Sequence, residues 1–454
     1  MNKSETIFLA TVAVVAVAAV AVLFVAPSPA TDGETTAVVT PEEPTVPDEA
    51  GTAILDGESY ESITEAAASA EPGDTVVLEG TFEEQVQVPT DDITLKATEA
   101  GAAIDGGGDG HVLNVTGENV TIADLWIRNS GYETSNEDAG VFVDGDRTTI
   151  RNAHVTDILW GVWVNGADRV TIEESYIEGR EEITPMVQRG NGIHLWESEE
   201  TTIRDVTITS VRDGIYYSWA SDVVTRNSTI TNSRYGVHFM YSDRNVMVDN
   251  TATGNDVGYA LMVSKELELV GNEAIRNRGT SGHGILVKDI DHSTIRDNVL
   301  ADNKNGLYVY NSNGNDILSN RILDNDVGLE HTAGSERQHV VGNSFIDNDQ
   351  QAISTTTANV ESWNSTERGN YWSTARTTDV TGDGIGDIRY RPQGIVEHVT
   401  NQHPQAAVFA DSPAFDAVRL AESSFPVIES PGIVDQRPLV EPPHENRTYD
   451  LEED

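Results

Sequence analysis

The chain has 454 residues, of which 75 are acidic and 28 basic, for a formal net charge of -47. A surface this negative repels phosphate, which excludes nucleic acid and anionic lipid as partners. Cysteine is absent, which excludes disulfides, thiolate metal sites, iron–sulfur clusters, a Cys nucleophile and a lipid anchor on Cys.

The acid is dispersed, and only five of the cations are Lys: Lys3, Lys96, Lys265, Lys288 and Lys304. That pattern suits a protein kept soluble in concentrated salt, where self-repulsion is screened. A calcium sponge or polyanion mimic would gather its acid in runs.

Residues 7–26 are apolar and follow Lys3, a stretch long enough to span a bilayer. Ser28-Pro29-Ala30 puts small residues where a signal peptidase cuts, so residues 1–30 read as a signal peptide or a membrane anchor. Either places the remainder outside the cytoplasm, in a periplasm or on the outer face of the cell membrane. Residues 31–50, acidic and rich in Pro and Thr, read as a solvated linker. Sequons at Asn114, Asn119, Asn227, Asn364 and Asn446 fit an exported chain.

Residues 51–100 read as an N-terminal cap and first coils. Residues 58–71 have the pattern of an amphipathic cap helix, stopped by Pro72-Gly73-Asp74, and Thr75-Val-Val-Leu starts the first coil. Residues 101–360 are a repeat. A Gly followed by alternating apolar residues recurs as Gly140-Val-Phe-Val, Gly161-Val-Trp-Val, Gly192-Ile-His-Leu, Gly214-Ile-Tyr-Tyr, Gly236-Val-His-Phe, Gly258-Tyr-Ala-Leu, Gly284-Ile-Leu-Val, Gly306-Leu-Tyr-Val and Gly328-Leu-Glu-His. The spacings are 21, 31, 22, 22, 22, 26, 22 and 22. A second short strand follows each, such as Thr149-Ile150-Arg151, and an Asn often closes it (Asn152, Asn227, Asn250, Asn272, Asn298, Asn320, Asn343).

A constant period of 22 with short strands predicts an all-β, right-handed parallel β-helix, one repeat per coil. A leucine-rich horseshoe would need a helical half in each repeat. The corner Asn is expected to adopt left-handed angles and to bond the next Asn in the stack. Residues 361–445 lose the period and read as a C-terminal cap and partner-docking segment, with Pro413, Phe425 and Pro426 as candidate contacts. Residues 446–454 read as an acidic tail.

Period-two facing turns positions +1 and +3 after each Gly inward and +2 and +4 outward. The outward columns are rich in aromatics: Trp163, Trp196, Tyr216, Tyr308 and Tyr310, with Tyr241 beside them, form a candidate partner-docking face. Met240 and Met262 are consecutive members of one outward column, about 5 Å apart by strand spacing. His238 lies two residues before Met240 on the same face, and His194 two coils away. Thioether sulfur with imidazole suits Cu(I) and discriminates against hard divalent ions. Met also fills docking surfaces without any metal, so both readings stand. Met186, in the insertion 179–189, and His283, in the insertion 278–283, are further candidate ligands, since solenoid insertions tend to mark the binding side.

Asp379, Thr381 and Asp383, followed by Gly, with Asp387, resemble the start of a calcium loop. The twelfth-position Glu is missing, Tyr390 standing there, and a Gly-Asp turn would look the same. The rival class is a carbohydrate-binding or carbohydrate-active β-helix protein. Hydrolysis would need a close carboxylate pair. The outward columns offer only Glu330 and Asp144, far apart, and Lys288 alone.

Several strings resemble the NosD family: Asn191-Gly-Ile-His-Leu-Trp196, Asp213-Gly-Ile-Tyr-Tyr-Ser218, Arg234-Tyr-Gly-Val-His-Phe-Met-Tyr-Ser242 and Gly258-Tyr-Ala-Leu-Met262. The resemblance extends through Gly369-Asn-Tyr-Trp-Ser373, Gly382-Asp-Gly-Ile-Gly-Asp387, Tyr390-Arg-Pro392, Ser412-Pro413-Ala414, Ser424-Phe-Pro-Val427 and Asp435-Gln-Arg-Pro-Leu439. It implies an exported, non-catalytic copper protein that matures nitrous-oxide reductase. Such a protein would dock on an ABC transporter made of the ATPase NosF and the membrane subunit NosY. It would accept Cu(I) from a NosL-type chaperone lipoprotein and pass it to apo nitrous-oxide reductase. The family's copper-handling Met and His would map onto Met240, Met262 and His238. Val263-Ser264 stands where the family's usual string is Tyr-Ser, so one patch residue departs. The acidity would make this a haloarchaeal-type member.

Overall fold

The computed structural model describes residues 43–443 except 48, 333, 356–359, 395, 397–398, 400–403, 410–411 and 425–431. The expected signal or anchor, most of the linker, the acidic tail, Phe425 and Pro426 lie outside the described residues. No helix among the described residues is long and apolar enough to cross a membrane.

One repeat folds as one coil of three short strands. In one coil these are Tyr235–Met240, Val246–Val248 and Thr251–Thr253. The following coil repeats them in register, with Val237 on Tyr259, Phe239 on Leu261 and Met240 on Met262. The Gly-led strands stack into a twelve-stranded sheet running from Val86–Val88 to Gln350–Ser354, and its neighbours pair in parallel. The other two strand columns join through the long strands Thr75–Glu83 and Thr94–Asp105. The fold is the expected right-handed parallel β-helix. The sequence reading has two strands per coil. The third, such as Thr207–Thr209 or Thr229–Thr231, is a single inward residue between two Thr, too short to register as alternation.

Positions +1 and +3 point inward as predicted: Ile215, Tyr217, Val237, Phe239, Tyr259 and Leu261 are fully buried. The Gly before them is required by close approach. A Cβ on Gly214 would lie 2.3 Å from Ile230 Cγ2 and 2.4 Å from the Gly236 carbonyl oxygen, so any side chain there would push two coils apart.

The Asn ladder is real, but its backbone is not the expected one. Asn250, Asn272, Asn298, Asn320, Asn343 and Asn370 are buried. Each of the first five donates its backbone N–H to the Oδ1 of the next, at 2.8–3.0 Å. The left-handed residue is the one before: Asp249, Gly271, Asp297, Ser319 and Gly342 have positive φ. Asn152 and Asn227 belong to that preceding column, with φ +46° and +51°. In their coils Ala153 and Ser228 fill the ladder position, and Ser228 N–H donates to Asn250 Oδ1.

The N-terminal cap helix is shorter than predicted, Ile63–Ser69. Asp56-Gly57, both at positive φ, form the kind of turn that favours a hairpin. It pairs Glu58–Tyr60 antiparallel with Thr52–Leu55, which withdraws those residues from the helix. Ser62 caps the helix, and the Glu84 carboxylate accepts from Ser62 Oγ, Ile63 N–H and Thr64 N–H.

At the other end two distant motifs form one latch. Asp435, fully buried, accepts from Asn370 N–H (2.7 Å), Trp372 Nε1 (2.9 Å) and Arg437 N–H (2.9 Å). A Cβ on Gly369 would sit on the Asp435 carboxylate. Trp372 stacks on Phe345 at 4.2 Å, closing the coil interior.

His331 occupies an inward +3 position and is fully buried. It lies 3.3 Å from Glu361 and edge-on to Trp363. Burial pushes the imidazole down to about 4, which keeps the ring neutral near pH 7, and pushes the Glu361 carboxyl up from its usual value. The unfolded chain takes up a proton on this His near the ordinary histidine value of 6.5 while the folded chain does not. Stability is therefore expected to be intact above about pH 6.5 and to fall, by roughly 3 kcal/mol from this residue, as pH drops toward 4. Denaturation followed across that range should show the slope reduced in His331→Phe.

Candidate metal site and binding face

The twelve-stranded sheet carries the candidate residues on its outer face. Met240 and Met262 are direct partners in adjacent parallel strands, both half-buried, with Ser218 before them and Lys288 after them in the column. Parallel strands lie about 4.8 Å apart, so the two thioethers can reach one ion. Met262 also packs against Val257, Ala260 and Leu286.

The +2 column is more covered than period-two facing implies. Trp163 is only 5% exposed, and His194 and His238 are also buried. The cause lies at the Gly before each strand, where the alternation breaks. The residue preceding that Gly turns to the same outer side and packs beside +2. Trp160 meets Trp163 edge-on at 4.7 Å, Tyr235 meets His238 at 5.0 Å, and Asp213 bonds His238. The +2 rings form a ladder: Trp163 to His194 at 3.9 Å, His194 to Tyr216 at 4.8 Å and Tyr216 to His238 at 4.6 Å. Tyr216 therefore stands between the two histidines.

Asp213 anchors this patch. Its carboxylate accepts from Arg234 Nε (2.8 Å) and Nη2 (2.6 Å) and lies 3.1 Å from His238 Nδ1. Burial alone would raise its pKa, but the bonds from His238 and Arg234 outweigh burial and hold it below the usual carboxylate value. Burial, with Arg212 nearby, pushes the His194 imidazole down to about 3.

The other sequence candidates fall elsewhere. His283 pairs with Val257, five residues along the strand from Lys288, the partner of Met262. That is about 16 Å at the rise of a strand. His283 stacks on Tyr308 at 4.7 Å, and burial pushes it to about 4. Met186 sits in the insertion, whose Ile183 packs against the Trp160–Trp163 cluster and whose Glu181 accepts from Ser210 and Asn232 of later coils. Arg189 ties that insertion down through Ile183 O, Ser210 O and Glu181 O. Among the described residues no three His, Asp or Glu side chains converge as a hard-metal cage.

In the Asp379 loop, Asp379 accepts from Gly382, Asp383 and Gly384 N–H, Asp383 from Ile385 N–H and Asp387 from Val380 N–H. The carboxylates thus close turns within the loop. Glu330 accepts from Asn305 and Asp144 from Asn165, in coils far apart, so these two do not form a close carboxylate pair.

Of the expected docking residues, Trp196, Tyr241 and Tyr310 are exposed, Tyr216 and Tyr308 are half-buried and Trp163 is buried. The sequence reading missed Trp219, 54% exposed and stacked on Tyr241 at 4.6 Å. Both sit at positive φ, +56° and +54°, as does Val263 at +49°. The same turn position holds Glu197, Asp289 and Asn311 in other coils. Bulky side chains in left-handed geometry cost of the order of 1–2 kcal/mol each. Three of them beside the Met pair are a signal that the turn alignment contains.

The family model described as "Periplasmic copper-binding protein (NosD)" matches residues 173–377. A Pseudomonas aeruginosa protein named "Probable ABC transporter binding protein NosD" is 38% identical over 76% of this chain and 83% of its own length. A protein of the same name from Stutzerimonas stutzeri is 36% identical over 78% and 84%. Among solved structures, a mannuronic acid specific family 6 lyase from human gut microbiota is 15% identical with a TM-score of 0.49, covering 65% of this chain and 82% of its own. A DFA-IIIase from Arthrobacter chlorophenolicus is 13% identical with a TM-score of 0.46, covering 64% and 92%. Likeness at that level carries nothing about activity.

Proposed function

The chain belongs to the NosD family of periplasmic copper-binding proteins, and from that premise we propose that it accepts Cu(I) outside the cytoplasm and delivers it to apo nitrous-oxide reductase. The observation that carries this reading is the in-register pair Met240 and Met262 with His238 on the same face. Two thioethers and an imidazole match the softness of Cu(I), and among the described residues no cluster of three His, Asp or Glu side chains offers a hard ion a cage. Copper is cargo here, held by few ligands so that it can be passed on. The relatives' names point to an ABC transporter. We place this chain on its outer side, with a NosF-type ATPase and a NosY-type membrane subunit, and a NosL-type lipoprotein as copper donor. The exposed Trp196, Trp219, Tyr241 and Tyr310 would meet the copper-exchanging partners. The chain itself has no catalytic step in this scheme.

A strain lacking this chain should export nitrous-oxide reductase devoid of copper, and restoring the chain should restore the metal. Full copper content without it would contradict the proposal. For the Asp379 loop we expect no calcium dependence, because its carboxylates already bond backbone N–H groups. Millimolar calcium should leave the melting temperature unchanged. A rise that is lost in Asp379→Ala would show a calcium site instead.

A further inference from the structure

One register position is filled by Asn191 in one coil and Asp213 in the following coil, each just before the repeat Gly. Each is bonded by an Arg from the next coil. Arg212 Nε donates to Asn191 Oδ1 at 3.1 Å, and Arg234 donates twice to Asp213. Each also faces the Nδ1 of a buried histidine: Asn191 Nδ2 lies 3.4 Å from His194 Nδ1, and Asp213 Oδ2 lies 3.1 Å from His238 Nδ1. The Nε2 atoms of both rings are buried with no hydrogen-bond partner among the described residues.

The difference between Asn and Asp decides where the ring proton sits. A carboxylate only accepts, so His238 must donate from Nδ1, which leaves the lone pair of the neutral ring on Nε2. Arg212 only donates, so it fixes the Asn191 oxygen toward itself and the amide NH2 toward His194. His194 Nδ1 then accepts, and its proton sits on Nε2. A metal needs the lone pair, and a carboxylate behind the opposite nitrogen both orients the ring and strengthens it as a ligand.

We infer that Asp213, a positioning residue braced by Arg234, makes His238 the imidazole ligand for Cu(I), while Asn191 sets His194 in the opposite tautomer and excludes it from the metal. Half of this inference rests on the copper reading of the face; the tautomers are readable with no metal present. Met240 and Met262 then share their ion with His238, and His194 contributes stacking against Trp163 and Tyr216.

The test starts with nitrogen-15 NMR on the metal-free full chain labelled at histidine. Protonated Nδ1 on His238 and protonated Nε2 on His194 are expected, and the same tautomer on both overturns the inference. Cu(I) competition titrations follow. His238→Gln and Asp213→Asn should each weaken binding about 10- to 100-fold, and His194→Gln should change it less than twofold. An equal loss in His194→Gln and His238→Gln overturns the ligand assignment. If Asp213→Asn fails to fold, the native-chain tautomers and the two histidine variants decide alone. A native chain that binds no Cu(I) rejects the copper reading, and the tautomer result then stands or falls by the NMR.

Discussion

Replacing Met240 and Met262 together by Leu is expected to weaken Cu(I) binding at least about a hundredfold while leaving the fold intact. The two side chains are register partners, so one ion can bridge them. Losing each soft ligand from a three-ligand set should cost about tenfold or more, roughly 1.4 kcal/mol apiece. Leu keeps the volume and the packing of Met262 against Val257, Ala260 and Leu286, so the change removes sulfur and little else. Competition against a chromogenic Cu(I) chelator would measure it. Affinity unchanged in the double variant would leave the two Met as packing groups on a docking face.

Asn298→Ala is expected to cost roughly 3–5 kcal/mol of stability. Asn298 Nδ2 donates to Leu269 O and Asn320 Oδ1, and its Oδ1 accepts from Asn272 N–H and Nδ2. Alanine takes away the partner of the buried Asn272 N–H and of the Leu269 carbonyl, while Asn320 Oδ1 keeps the backbone N–H of residue 298 and Asn272 Nδ2 keeps Met247 O, and each buried group left unpaired costs about 1–3 kcal/mol. A neighbour can recover some of this by shifting, so the sum falls short of the maximum. The control is Asn227→Gly. Asn227 sits at φ +51° outside the ladder, where Gly is at ease, and its change should be near neutral. Denaturation at one fixed high salt would compare the two, since the net charge of -47 makes self-repulsion vary with ionic strength. Equal costs at both sites would mean the ladder adds no more than an ordinary turn Asn.

The repeat made the fold legible. Gly-led alternation at a period of 22 fixed the coil and the inward residues, because a solenoid is nearly one-dimensional and each coil sees only its neighbours. The Met pair was legible for the same reason: equal offsets from successive Gly residues must stack. Burial of the +2 column was not. Period-two facing assumes an unbroken strand, and the chain breaks it at each Gly, which turns Trp160, Asp213 and Tyr235 onto the outer side. Asp213 was therefore missed, since it read as the residue before a motif. His283 lies along the strand from the Met pair because an insertion fixes where a loop leaves the coil and not where it lands. The latch between Gly369-Asn370 and Asp435 could not be read at all, as it closes 65 residues of aperiodic chain.

X-ray absorption at the copper edge, on the full chain loaded anaerobically with one equivalent of Cu(I), would identify the atoms that hold the ion. The buffer should hold ionic strength with sulfate or glutamate, because chloride itself binds Cu(I). Two sulfur scatterers and one imidazole are expected, with both sulfurs lost in the Met240→Leu/Met262→Leu chain. A first shell of oxygen or nitrogen alone, or a sulfur signal that persists in the double variant, would contradict a copper site at Met240, Met262 and His238.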